Sequence, residues 1–349
     1  MIPVLPPTVE NLQWAARELA AGRLVSFPTE TVYGLGANAL DPTALARIFE
    51  AKRRPFFDPL IVHIADRSGL DALCSRPDAR ADRLMDRFWP GPLTLVLPKT
   101  DAVPDLATSG LPTVAVRMPS HPVALALIRM AGFPVAAPSA NPFGRLSPTA
   151  ASHVRDQFAE GISLILDGGP CEVGVESTIL SLEGSIPVLL RAGGIAREAI
   201  EALIGPIGIS AANPEHPEKP LAPGQLPGHY APRTRLRLLE KALAQDPAGR
   251  IASGSGMIFA TVMRKSGMKL GWLGFRNAMV PGPDPFAVSE VLSPSGSLRE
   301  AAANLFACLH RLDGKGLDLI LAEPLPEEGL GLAIMDRLRK AAAGSAQGL

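Results

Sequence analysis

The residues able to do chemistry lie in a few polar, proline-punctuated loops that follow short apolar runs. Pro28-Thr29-Glu30-Thr31-Val32-Tyr33-Gly34-Leu35-Gly36 places hydroxyls, a carboxylate and two glycines just beyond a strand, where open α/β folds bind ligands. Lys52-Arg53-Arg54-Pro55 sets three cations at the end of a helix, followed by Asp58-Pro59 and an apolar run carrying His63. Alone, such cations would only complement the helix dipole. A second loop, Pro138-Ser139-Ala140-Asn141-Pro142-Phe143-Gly144, again follows a short apolar strand, and two such loops can meet at one rim of a sheet. Arg117 in Val114-Ala115-Val116-Arg117-Met118 and Arg191 in Val188-Leu189-Leu190-Arg191 are sharper signals. A cation in an apolar strand needs an anionic partner if it is buried. With Lys52 and Arg54 they would suit a triphosphate or a carboxylate, which guanidinium groups bind bidentately. Gly174-Val175-Glu176-Ser177-Thr178 adds a hydroxyl-bearing turn before another strand.

Other chemistries lack support. The six histidines are scattered, and His-Glu-x-x-His, G-x-S-x-G and Walker A spacings are missing. Gly34, Gly36 and Ala39 fit G-x-G-x-x-A, but six residues separate the strand from Gly34 and the next helix starts only at Pro42, so the match reads as chance. His63 alone reads as a core histidine. Cys171, near Gly168-Gly169, reads as packing, for want of a recognisable base partner. The three cysteines, Cys74, Cys171 and Cys308, form no Cys-x-x-Cys pair and fit a reducing compartment. The N-terminus lacks a secretory pattern, and the most apolar window, Val123 to Ala140, contains Arg129 and Pro134. A soluble cytoplasmic protein with no membrane partner is expected.

The elements that must position these loops follow from periodicity. Leu12, Ala15, Ala16 and Leu19 share one face of a helix opened by Thr8 and stopped at Gly22, and a strand covers 23–27. Residues 28–40 read as a loop. Asp41-Pro42 opens a helix to about Lys52. Strands are predicted at 60–64, 93–97, 114–117, 135–137, 164–166, 178–182 and 188–190, with helices near 79–88, 121–131, 149–158 and 196–204. Strands that sometimes alternate with helices and sometimes adjoin each other predict a mixed sheet with flanking helices. At roughly 150 residues per domain, 349 residues suggest two domains. The first is set at 1–205, a proline-rich linker at 206–233, a smaller α/β domain of Rossmann-like type at 234–343 and a tail at 344–349. The second domain rests on a helix at 297–312, a strand at 317–321 and a helix near 329–342; residues 240–295 read poorly. The 34 basic and 34 acidic residues cancel, which disfavours sequence-blind wrapping of a polyanion, so any phosphate site must be local.

Together, Ser26 to Leu35, Lys52-x-Arg54-Pro55, Pro59-Leu60-Ile61-Val62-His63, Trp89-Pro90-Gly91-Pro92-Leu93-Thr94, Arg117-x-Pro119 and Pro138-Ser139-Ala140-Asn141 resemble the YrdC-like family over about residues 10–205. Gly228-His229-Tyr230-Ala231-Pro232 and the C-terminal α/β unit resemble its long two-domain form, the threonylcarbamoyl-AMP synthases. The resemblance implies a YrdC-like twisted mixed sheet. It also implies a nucleotidyltransferase reaction, in which L-threonine, bicarbonate or CO2, and ATP give L-threonylcarbamoyladenylate and pyrophosphate, with Mg2+ accompanying ATP. The product would pass to a separate transferase complex that modifies adenosine in tRNAs reading codons that begin with A; direct RNA contact is left open.

By the same resemblance, Thr31, His63, Arg117, the Ala137 backbone and Ser177 would hold threonine. Lys52, Arg54, Asp58, Thr113, Ser139, Asn141, Ser147, Arg191 and Tyr230 would serve ATP, with Tyr230 closing over the site from the linker. Lys52 and Arg54 would act electrostatically; no general base and no side-chain metal ligand is assigned. Two departures stand out: Arg53 sits where a small residue, often Gly, is common, and Asp58 where Asn or His is common. Beside phosphates, Asp58 would repel them unless a metal or Arg intervenes. The alternative reading is a double-stranded-RNA-binding ribosome-maturation or translation factor of the same fold. Acids slightly outnumber bases in 1–205, which disfavours it.

Overall fold

The computed structural model describes residues 2–75, 79–209, 220–226, 228–239, 266–276 and 286–346. Linker residues 210–219 and 227, most of the poorly read stretch 240–295, and tail residues 347–349 lie outside the described residues. The chain forms two compact units: residues 1–143 with 147–226, and residues 144–146 with 227–349.

The first unit is built on an eleven-stranded mixed sheet. Its strands are β1 (Val4–Leu5), β2 (Val25–Pro28), β3 (Tyr33–Asn38), β4 (Ile61–His63), β5 (Leu93–Pro98), β6 (Thr113–Arg117), β7 (Val135–Ala136), β8 (Leu164–Leu166), β9 (Thr178–Ser181), β10 (Val188–Arg191) and β11 (Gly208–Ile209). Their spatial order is β1-β8-β2-β3-β7-β4-β6-β5-β9-β10-β11. The helices are α1 (Val9–Ala20), α2 (Pro42–Lys52), α3 (Ala79–Phe88), α4 (Asp105–Thr108), α5 (Pro122–Ala131), α6 (Ala151–Arg155) and α7 (Arg197–Ile204).

Local rules account for the helices that matter. Thr8 Oγ1 accepts from the Asn11 amide to cap α1, and Leu12, Ala15, Ala16 and Leu19 pack on α5 and on Phe27, Val135, Leu164 and Leu166. A leucine fully buried there contributes about 2 kcal/mol. Asp41 Oδ1 caps α2 through the Thr43 amide at 2.8 Å, with Pro42 in its first turn. The helix ends at Arg53, whose φ of 52° is left-handed. Glycine adopts that conformation without strain, which gives a physical reason for a small residue there; Arg53 adopts it and points to solvent.

The structure corrects the loop reading of 28–40. Residues 33–38 form β3, antiparallel to β2, pairing Val25 with Gly36 and Phe27 with Gly34. Two glycines hide the strand from propensity arguments, yet packing demands one of them. A Cβ on Gly36 would stand 2.7 Å from the Phe27 ring and 3.0 Å from Val135. The glycine pair is thus part of a sheet and not a dinucleotide loop.

The second unit carries β12 (Arg235–Leu238), β13 (Leu270–Gly274), β14 (Val288–Val291) and β15 (Leu319–Ala322), with α8 (Leu298–Asp313) and α9 (Gly331–Ala346). All strand pairs are parallel, in the order β12-β15-β13-β14. It is a Rossmann-like α/β unit, and β13 and β14 fall in the stretch that had no clear sequence reading.

Candidate functional site

Register brings the single strand cations together. His63 pairs with Arg117 across β4 and β6, Arg117 with Thr94 across β6 and β5, Thr94 with Ile179, and Ile179 with Arg191. Side chains at paired positions share a face, so one row across five strands carries His63, Arg117, Thr94 and Arg191. A shift between Leu189 and Arg191 re-aims the end of β10. Beside the row on the same face, Ile61, Ala115, Val96 and Leu190 form an apolar cluster with Ala222, which Ile179 of the row joins. Linker residues 221–225 therefore lie on this face of the first unit. Gln225 Oε1 accepts from the Leu221 and Ala222 amides, its Nε2 donates to Leu190 O at 3.3 Å, and Arg191 Nη1 donates to Pro223 O at 3.1 Å.

Arg117 is buried, and its guanidinium is engaged on three sides. Nη1 donates to Thr31 Oγ1 at 2.9 Å, Nε donates to Gly91 O at 3.2 Å, and Nη2 lies 2.6 Å from Glu30 Oε1. The other Glu30 oxygen accepts from the Ser120 amide. Glu30 is the anionic partner the apolar strand demanded. His63 beside it is buried, and loss of hydration followed by the Arg117 charge pushes its pKa down to about 3, so the imidazole is neutral at neutral pH. Its Nδ1 has no hydrogen-bond partner among the described residues.

The two proline-punctuated loops do meet. Lys52 is fully buried and its Nζ donates to the carbonyls of Ser139 and Asn141, while Lys52 O accepts from the Phe143 amide at 2.8 Å. Burial, then the neighbouring Arg54, drives its pKa well below that of an ordinary lysine. Lys52 thus ties the loops together, and its amine faces carbonyls. The same loop bridges onto β3: Ser139 pairs with Gly34, and Leu35 N donates to Pro138 O. Ala137 N donates to Ile61 O.

Arg54 Nη2 lies 2.9 Å from Asp58 Oδ2, and the guanidinium also donates to the Asp58 and Pro59 carbonyls. Asp58 is wholly buried; burial raises its pKa against the opposing charges of Arg54, Lys52 and Arg191. The Arg that was required to intervene is thus present, and Asp58 braces it.

Ser177 joins the two groups. Its hydroxyl lies 2.7 Å from Thr94 Oγ1 and accepts from Arg191 Nη2 at 3.1 Å, and its carbonyl accepts from Arg191 Nε and Nη2. Ser147 Oγ donates to Glu176, the residue before Ser177. Thr113 shares the Arg117 face of β6 but stands four residues away, about 13 Å along a strand. Tyr230 belongs to the second unit, where Arg337 and Phe306 take its ring. Sequence reasoning assigned no role to Glu30, Glu176 or Thr94. Asking which carboxylate neutralises Arg117 would have singled out Glu30, the one acid between the two threonines of that loop.

Residues 17–193 match the Sua5/YciO/YrdC family, described as telomere recombination, and residues 195–343 match the family described as threonylcarbamoyl-AMP synthase, C-terminal domain. The first match sets the class, an α/β protein of the YrdC type. The threonylcarbamoyl-AMP synthase of Pyrococcus abyssi is 46% identical over 95% of this chain and 94% of its own; that of Bacillus subtilis is 46% identical over 95% and 92%. A crystal structure of P. abyssi Sua5 complexed with L-threonine is 42% identical, with a TM-score of 0.88 over 99% of this chain and 98% of that one. This chain belongs to the threonylcarbamoyl-AMP synthase family. Among the described residues, no helix is long and apolar enough to cross a membrane.

Proposed function

We propose that the enzyme makes L-threonylcarbamoyladenylate and pyrophosphate from L-threonine, bicarbonate or CO2, and ATP. The observation that carries this reading is the contact of Ser177 with Arg191, which abuts an amino-acid half (Thr31, His63, Arg117, Ala137, Ser177) on a nucleotide half (Lys52, Arg54, Asp58, Ser139, Asn141, Ser147, Arg191). Threonine bound to P. abyssi Sua5 supports the first half. Thr113 and Tyr230 are assigned to ATP on resemblance alone.

Arg117 holds the threonine carboxylate, and Glu30 opposite offers an acceptor to its ammonium. The amine must lose a proton before its nitrogen bonds to CO2. His63, neutral with a pKa near 3, is too weak a base to store that proton at neutral pH, which favours its release to bicarbonate or solvent. The carbamate oxygen then bonds to the α-phosphorus of ATP as the bond to pyrophosphate breaks. This step depends on in-line positioning and charge stabilisation. Arg54 and Arg191 supply positive charge, and Lys52 holds the Ser139–Asn141 loop against the phosphates.

Among the described residues, no three metal-binding side chains cluster. Asp58 faces Arg54 and Glu176 accepts from Ser147; Mg2+ accompanying ATP would help to neutralise the triphosphate charge. The product, a mixed carbamic–phosphoric anhydride, is a donor for adenosine in tRNAs reading codons that begin with A, through a separate transferase complex. Incubation with threonine, bicarbonate, ATP and Mg2+ should release pyrophosphate only when threonine is present. Release that ignores threonine, or salt-sensitive double-stranded RNA binding without adenylate formation, would refute this reading.

A further inference from the structure

We infer that Arg337, in α9 of the second unit, is a positioning residue for the nucleotide-side loop between Asn141 and Ser147, acting through Tyr230; this rests on the adenylating reading above. Residues 144–146 belong to the second unit although the chain on either side belongs to the first. Within the second unit they are gripped by the segment 228–231: Ala231 N donates to Gly144 O at 2.8 Å and Arg145 bridges to Ala231. The loop leaves the first unit two residues after Asn141 and re-enters it at Ser147, so whatever fixes 228–231 fixes the span between two nucleotide-side residues.

Tyr230 decides the path of that segment. Its φ of 63° is left-handed, a conformation a bulky side chain adopts only when its surroundings over-determine it. Those surroundings include the Arg337 guanidinium, 5.0 Å from the ring centroid, the His229 ring at 5.6 Å and the Phe306 ring of α8 at 5.8 Å. The Arg337 side chain is wholly buried, with Nη1 2.7 Å from Asp336 Oδ2. Simple packing would be served as well by an apolar side chain of similar volume. A planar guanidinium against an aromatic face adds orientation, which methionine or lysine does not reproduce. Gly344 of α9 completes the grip: a Cβ there would stand 3.0 Å from both Gly228 and Ala231.

In the full-length enzyme, Arg337→Met should raise the KM for ATP at least fivefold, keep the KM for threonine within twofold, and speed hydrogen exchange of the Ala231 amide at least tenfold. A purely structural role would lower the active fraction and leave both KM values alone. Gly344→Leu, which improves helix propensity while crowding the segment, should produce the same ATP-selective rise and keeps the test open if Arg337→Met fails to fold. Unchanged ATP KM and unchanged Ala231 exchange in the folded variants would overturn the inference. Absence of threonine-dependent pyrophosphate release in the wild type would instead overturn the adenylating reading, and the exchange measurement would still decide the role of Arg337.

Discussion

The two halves of the proposed site are balanced differently. On the amino-acid half one buried guanidinium, Arg117, faces one buried carboxylate, Glu30, beside a neutral His63. On the nucleotide half the guanidinium groups of Arg54 and Arg191, with the buried Lys52 whose amine burial drives toward the neutral form, surround the carboxylate of Asp58. The difference matches the proposed ligands. A zwitterion adds no net charge and suits a neutral pair, which can bind its two ends. A triphosphate brings several negative charges and suits a cluster that draws its positive charge from two guanidinium groups. Asp58 makes that cluster tolerable in the absence of ligand, since unopposed buried cations cost several kcal/mol each.

This contrast can be broken most forcefully at Arg117. Arg117→Met leaves Glu30 buried without its partner and should cost about 3–5 kcal/mol of stability, read in thermal unfolding, and threonine use should fall far more than ATP binding. Adding Glu30→Gln should restore the stability but not threonine use. Threonine affinity equal to wild type in Arg117→Met would remove Arg117 from the carboxylate.

A smaller effect is expected at His63. Its folded pKa lies below its unfolded value, so between about pH 6.5 and pH 3 the unfolded chain binds a proton the folded one does not. Stability is therefore full above pH 6.5 and falls as pH drops, by up to about 1.4 kcal/mol per pH unit. His63→Gln should flatten that part of the stability profile; an identical slope in both proteins would mean that the imidazole titrates normally.

The mildest effect on ligand use is expected of Asp58→Asn, which tests the other half. Removing the carboxylate should tighten ATP about two- to fivefold while lowering the melting temperature, because Arg54 loses its brace. Weaker ATP binding in a folded Asp58→Asn enzyme would show that Asp58 serves the nucleotide by holding Arg54 and not by limiting its charge.

Much of the fold is legible in the sequence. The α1 face, the Asp41-Pro42 start of α2 and the helix beginning at Ser297 are written in local spacing and capping, which short-range physics enforces. The strand cations Arg117 and Arg191 announced a site because a charge in an apolar run needs a partner. Hidden features depended on distant residues. β3 was obscured because Gly34 and Gly36 have no strand propensity, and their place comes from Phe27, Ala137 and Val135. The pairing of Arg117 with Glu30 spans 87 residues of sequence. The two-residue strands β1, β7 and β11 carry no periodicity to detect and exist through their neighbours' ladders.

The passage of residues 144–146 into the second unit also bears on how such a protein can be altered. The two units are interleaved along the chain, so no single cut between consecutive residues separates them. A shortened enzyme ending near residue 205 would lose the 221–225 segment from its own sheet face, and residues 144–146 would lose their partners at 228–231. The first unit is therefore not an exchangeable cassette: to transplant it, 144–146 would have to be redesigned, not merely trimmed around.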